Sequence, residues 1–210
     1  MPIAPGSFTQ LPPNSTGPKL ATGPTYTENA NVVQDEKVVL SNQYLASFRV
    51  RTASVSLATA DAHVLQIMAP ATNNVWVRHI WVYQNALATT AIINQFDLLR
   101  LTTAGTGGTV ITPSPLDESD TATFTAMVLP TVKGTEGALI DYSSAVMIQT
   151  VTASLYPAKL LVAEFIFDSP MTKGLRIGAG ITKGIAVKPR IAVAAATCIV
   201  VAEVVEQAWA

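Results

Sequence analysis

From Val38 onward this chain is cut repeatedly by Pro, Gly and Asn, and the pieces between the cuts are rich in Val, Ile, Thr and aromatic residues. The cuts include Ala69-Pro70, Thr72-Asn73-Asn74, Gly105-Thr-Gly-Gly108, Pro113-Ser-Pro115, Lys133-Gly134, Ser169-Pro170 and Lys188-Pro189. Each supplies a fixed φ or a residue that tolerates positive φ. The pieces predict strands at residues 38–40, 45–52, 63–68, 75–84, 92–101, 123–128, 146–151, 160–167, 175–177, 185–187 and 191–205. Residues 86–94 leave room for a helical turn or two, and residues 192–208 are ambiguous by period. Val200, Val201, Val204 and Val205 favour a strand there, because β-branched side chains lose rotamer freedom in a helix. Short strands at this spacing predict an all-β fold, a jelly-roll-like antiparallel β-sandwich over residues 37–210.

Residues 1–36 differ. Pro2, Pro5, Pro12, Pro13, Pro18 and Pro24 alternate with Gly6, Gly17 and Gly23, and the apolar residues follow no period. Each Pro removes an amide donor and biases its predecessor toward extended geometry, so an extended N-terminal arm without helix or paired strand is expected. Ile3, Phe8, Leu11, Leu20 and Tyr26 are spaced like anchors for grooves on a neighbouring subunit. The alternative is a solvated tail. About 35 residues at roughly 3.3 Å each reach about 100 Å, enough to cross an adjacent subunit.

Composition narrows the function. Hydrophobic residues make up 49% of the 210 and charged residues only 13%. An ordinary soluble domain carries about a quarter charged residues, so this surface is either neutral or covered by protein, which points to assembly. The net charge is −1 with no Lys/Arg cluster, which argues against direct nucleic-acid binding. The longest apolar run, ending at Glu203, is too short to span a bilayer, and the N-terminus lacks the basic and apolar regions of a secretion signal. No membrane association is expected.

The motifs that suggest chemistry are incomplete. Gly178-Ala-Gly180-Ile-Thr-Lys-Gly184 has the glycines of a dinucleotide loop, but Pro189 follows too soon for the required helix, so a glycine-bearing β turn is expected. Gly105-Thr-Gly-Gly-Thr109 lacks the Gly-Lys-Ser/Thr ending of a phosphate loop and is expected to be a flexible loop. Asp117-Glu-Ser-Asp120 lacks the ligand alternation and closing Glu of a calcium loop, which favours a solvated turn. His63 and His79 have no partners at metal spacing, and His79 is expected to be a packed or interface residue. Cys198 sits in an apolar run and is expected to be buried. No nucleophile elbow occurs, and Tyr142-Ser-Ser-Ala145 has no recognisable base. Asp61, Asp97, Asp141, Glu164 and Asp168 make a glycosidase pair only if the fold converges them. No cofactor, metal or catalytic residue is therefore expected.

Residues 75–83 carry Trp76, Trp81 and Tyr83. On a straight strand Val75, Val77, His79, Trp81 and Tyr83 share one face, and Trp76, Arg78, Ile80 and Val82 the other. The two tryptophans are then expected on opposite sides, so that at least one serves core or interface. Trp76, Trp81 and Tyr83 are candidates for subunit contact or for stacking on sugar rings.

Three stretches carry a resemblance: Met68-Ala-Pro70 through Arg78-His-Ile80, Leu98-Leu-Arg-Leu101, and Gly107-Gly-Thr-Val-Ile-Thr-Pro113-Ser-Pro-Leu-Asp117-Glu-Ser-Asp120-Thr-Ala. Together they resemble small all-β virion proteins of tailed phages and prophages, in which such a segment joins two strands. In those proteins a late Glu-bearing strand closes the sheet, a part that Val200-Val-Ala-Glu-Val-Val205 matches here. The resemblance covers about half the chain and rests on turn motifs. It implies a non-enzymatic structural protein on the virion surface, made in the host cytoplasm: a capsid decoration or auxiliary protein that stabilises the capsid. The expected partners are further copies of the chain, as a trimer, and the major capsid protein or other virion proteins. The alternatives are a head-fibre or tail adhesion protein binding host-surface glycans, and a carbohydrate-active enzyme.

Overall fold

The structure, a computed structural model, describes residues 25–28, 31–34, 45–86, 88, 92–147, 160–167 and 174–207. The chain divides into two compact units, Met1–Gln43 and Tyr44–Ala210, seven residues later than the sequence boundary at 36/37. In the first unit, strand β1 (Thr25–Glu28) pairs antiparallel with β2 (Asn31–Gln34), Tyr26 opposite Val33. This corrects the expectation that residues 1–36 hold no paired strand. The last proline of the segment is Pro24, so the amides of residues 25–34 are all free to pair.

The second unit begins with β3 (Leu45–Arg51), β4 (Val55–Ser56), β5 (Leu65–Met68), β6 (Asn74–Ala86) and β7 (Ile92–Leu101). Then come β8 (Thr109–Ile111), β9 (Ser114–Pro115), β10 (Thr125–Val128), β11 (Glu136–Met147) and β12 (Leu160–Ile166). The chain closes with β13 (Leu175–Ile177), β14 (Gly184–Pro189) and β15 (Thr197–Gln207). One sheet runs β12-β6-β15-β3-β9 and the other β11-β7-β14-β5-β10-β8, with every pairing antiparallel. Taking the eight principal strands in chain order, one sheet holds the first, eighth, third and sixth, and the other the second, seventh, fourth and fifth. That is the jelly roll of two interleaved Greek keys. Strands β8 to β10 are an insertion between the fourth and fifth of them and widen both sheets past β5 and β3. Leu45 at the start of the sandwich lies opposite Gln207 at its end.

The core lies between the sheets, as the period-2 pattern requires. Phe48, Val50, Val75, Val77, Ile80, Val82, Val200, Ala202 and Val204 of one sheet meet Leu65, Ile67, Phe96, Leu98, Ile185 and Val187 of the other. Cys198 is fully buried among them, as expected, and burial pushes its thiol pKa up to about 12, so it stays protonated. Phe124, just before β10, meets Phe48 edge-on at 5.4 Å and ties the insertion to the core. Close backbone approach demands glycine at several positions, Gly184 and Gly134 among them. A Cβ on Gly184 would sit 2.6 Å from the Ile67 carbonyl oxygen, and one on Gly134 would collide with the Thr103 carbonyl oxygen.

Several boundaries move from their expected places. β11 starts at Glu136, ten residues before the expected strand at 146, because an exposed edge strand shows no apolar alternation and this one contains Gly137, Asp141, Ser143 and Ser144. Pro115 lies inside β9, which is compatible with an edge strand, where a missing amide breaks no ladder. Residues 191–196 form a turn instead of the start of the last strand, with Ala195 at a φ of 60°. The expected strand at 38–40 lies outside the described residues, as do residues 148–151. Residues 86–94 supply strand at both ends, and no helix occurs among the described residues.

Candidate binding face

The outer face of the β12-β6-β15-β3 sheet is aromatic, and a backbone irregularity makes it so. Along β15, Glu203 pairs with His79 but Val204 pairs with Val77, which leaves Arg78 as an extra residue in β6. A β-bulge of this kind reverses the in/out phase of a strand. Before it Val75 and Val77 point inward, and after it Ile80 and Val82 do. Trp76, His79, Trp81 and Tyr83 are all left half-buried on the outside. The expectation that Trp76 and Trp81 face opposite sides is thereby corrected, since it assumed a strand without a bulge.

Cross-strand neighbours complete the face. Glu164, Trp81, Val201 and Arg51 form one row across four strands, and Ile166, His79, Glu203 and Arg49 the next. Trp81 donates its indole N–H to Glu164 Oε1 at 2.9 Å, and Trp76 donates its own to Gln207 Oε1 at 3.3 Å. Arg49 pairs with Glu203. The Arg176 guanidinium, across from Trp76 on β13, lies 5.9 Å from its ring centre. Both indole donors are spent within the sheet, so the face offers ring surfaces and charged rims to a partner, not indole hydrogen bonds.

On the other sheet a polar network runs from a buried histidine out to the surface. His63 is fully buried, with Glu136 Oε1 3.0 Å from Nε2 and the Gln66 amide on Nδ1. Gln66 Oε1 accepts from the Gly105 amide, so its nitrogen faces His63 and the imidazole proton sits on Nε2. Burial pushes the His63 pKa below its usual 6.5 despite the neighbouring carboxylate. Lys188 binds Glu136 Oε2 at 2.7 Å and Asp61 at 3.4 Å. Burial of Glu136 works against its charge, but hydrogen bonds from Lys188 and His63 outweigh it and hold the carboxyl below its usual range. With both ring nitrogens occupied and no exposure, His63 has no free position from which to take a substrate proton.

The sequence candidates separate accordingly. Trp76, Trp81 and Tyr83 come together on one face, while Ile3, Phe8, Leu11 and Leu20 lie outside the described residues and Tyr26 is placed only as a paired residue of β1. The carboxylates disperse: Asp61 to Lys188, Asp97 to Arg190 and Gln95, Asp141 to the Tyr142 amide, Glu164 to Trp81. Asp168 lies outside the described residues. Asp117 Oδ1 caps the Ser119 amide and hydroxyl in a turn, and no cluster of metal-ligating side chains occurs among the described residues. The 105–109 loop, expected to be flexible, is pinned by paired hydrogen bonds between Thr106 and Val132 and by Gln66. The 178–184 segment is the expected β turn, leading from β13 straight into β14. Sequence reasoning missed Arg176 beside Trp76 and the tie of His63 to Glu136, 73 residues away, for which no local signal exists.

The chain matches no protein-family model, no curated protein and no solved structure. Among the described residues no helix is long and apolar enough to cross a membrane.

Proposed function

We propose that the chain is a non-catalytic structural protein of a bacteriophage particle, a capsid decoration or auxiliary protein that binds neighbouring subunits through one side of its sandwich. The observation that carries this reading is the apolar side formed by the two end strands. β11 and β12 end their respective sheets and run beside each other. Leu139 and Tyr142 on the first and Leu161 and Ile166 on the second are 43% to 60% exposed. Leu139 and Tyr142 stand opposite Leu99 and Asp97 on the outer face of one sheet, and Leu161 and Ile166 opposite Tyr83 and His79 on the outer face of the other, so exposed apolar residues flank this edge of a charge-poor domain on both faces, as at a protein contact. The jelly roll adds a fold-level analogy, since viral shells and lectins both use it. The turn motifs of residues 107–122, read as resembling virion proteins of tailed phages, support the first use.

Light scattering of the full chain across concentration tests the reading. A stable trimer or larger species that Tyr142→Asp with Leu161→Asp converts to a folded monomer supports it. Wild-type protein that stays monomeric and fails to bind phage shells sinks it.

The common face of Trp76, Trp81 and Tyr83 favours one second reading, a head-fibre or tail adhesion protein that stacks these rings on host glycans. Saturable binding of neutral oligosaccharides, lost in both Trp76→Ala and Trp81→Ala while the oligomer persists, would place function on the rings of that face, which Leu161 and Ile166 border, instead of on the β11/β12 edge.

A further inference from the structure

The 178–184 turn shapes a cavity that neither reading uses. Arg100, Leu101, Arg176, Ile177, Gly178, Lys183 and Gly184 line an open pocket of about 310 Å³ where the end of β7 meets β13 and β14. Three of these seven residues are cationic. None forms an ion pair with a carboxylate among the described residues, whose ion pairs all involve other side chains.

The cations are held in place. Arg100 donates from Nη1 to the Arg176 carbonyl at 2.6 Å, and burial lowers its pKa. Arg176 is fixed by Asn74, whose Oδ1 accepts from its Nε at 3.2 Å and its Nη2 at 2.9 Å. The same buried oxygen accepts the Ala179 amide at 3.1 Å, so Asn74 locks turn and guanidinium together. Lys183 folds back over the turn, its ammonium 3.6 Å from where a Cβ on Gly178 would stand. Three cations that line one pocket, with donors left over and no carboxylate paired to them, leave positive charge there that an anion would offset. Guanidinium donors in a fixed fork match the oxygens of phosphate and sulfate.

We propose that the Arg100–Arg176–Lys183 cavity binds a multiply charged oxyanion, a phosphate or sulfate group that is either free or carried as an ester on a larger molecule. The volume lies at the small end of ligand pockets and leaves room for such a group together with part of the molecule that carries it. Arg176 borders both this cavity and the Trp76 ring, so a sugar bearing the group as an ester would meet an aromatic surface beside it. The site stands whether or not the chain belongs to a phage particle.

The test is 1H–15N NMR of the full chain, titrated at constant ionic strength with inorganic phosphate, inorganic sulfate, glucose 6-phosphate and glucose, with chloride as control. Saturable shifts confined to residues 100–101 and 176–184, weakened about tenfold or more by Arg100→Gln and by Lys183→Gln, support the site. Glucose 6-phosphate binding more tightly than inorganic phosphate assigns an ester, and the reverse a free ion. Lys183→Glu, exposed and on a turn, supplies an internal carboxylate and is expected to abolish binding with the fold intact. Shifts spread over the surface, equal shifts with chloride, or binding unchanged in folded Lys183→Gln and Lys183→Glu would overturn the proposal.

Discussion

The imidazole of His79 lies flat against the indole of Trp81, ring centres 4.8 Å apart and planes 17° from parallel. Residues two apart share a face of a strand, so this stack is ordinary β geometry. What is particular is that Trp76, five residues before Trp81, shares the face too, and the extra residue Arg78 is the cause. Deleting Arg78 restores strict alternation and turns either Val75 and Val77 or Ile80 and Val82 toward solvent. The deletion is expected to cost at least about 3 kcal/mol, since each such side chain contributes roughly 1.5–3 kcal/mol when buried. Urea denaturation measures this, and a deletion variant of near wild-type stability would contradict the bulge.

Stability should fall in mild acid. His63 titrates near 6.5 once unfolded but below that when folded, so under pH 6.5 the unfolded chain binds the extra proton and gains. The loss begins there and continues as Glu136, held below 4.5 in the fold, is protonated in its turn. At the alkaline end Lys188, raised above 10.5 by Glu136 against the effect of burial, contributes stability that disappears as pH rises past its folded value. His63→Gln should lose about 1–3 kcal/mol at pH 8 and flatten the profile between pH 6.5 and 5. Thermal melts across pH measure both, and an unchanged slope in the variant would remove His63 as its source.

Glu206 fastens the 116–124 segment to the last strand. It is buried, and its carboxylate accepts the Thr123 amide at 2.9 Å, the Asn73 amide nitrogen at 2.7 Å and the Thr123 hydroxyl. Glu206→Ala should cost about 2–3 kcal/mol, because hydrogen bonds to a charged group are lost and buried donors are left unmet. Hydrogen exchange should show the Thr123 amide opening locally. A variant as stable and as protected as wild type would contradict this anchoring.

Cys198 should resist thiol reagents until the sandwich unfolds. Burial holds its thiol protonated, and only the thiolate reacts. Labelling rates that track global unfolding across urea are expected, and fast labelling of native protein would show an opening that exposes the β15 core.

The sandwich was legible in the sequence wherever a strand is buried on one face. Residues 45–51, 92–101 and 160–166 alternate or run apolar because the core demands it, and they form strands at or within a residue of the expected bounds. β11 was invisible from residue 136 to 145 because its side chains mostly face water, so nothing selects a period. The candidate face was half legible. Trp76, Trp81 and Tyr83 stand out by type, but their shared side depends on a bulge set by pairing with β15, more than a hundred residues away. Arg100 and Arg176 approach only through the fold, 76 residues apart.

Leu45 and Gln207 stand opposite each other on neighbouring strands, so the jelly roll starts and finishes at one corner, an interstrand spacing of about 5 Å apart. A linker of a few residues would close it into a ring, and cutting that ring in the exposed 116–119 segment would yield a circular permutant with every ladder among the eight principal strands preserved. A passenger domain appended after Gln207 would depart from the corner at which the sandwich begins, leaving the opposite end of the sandwich untouched as a display surface.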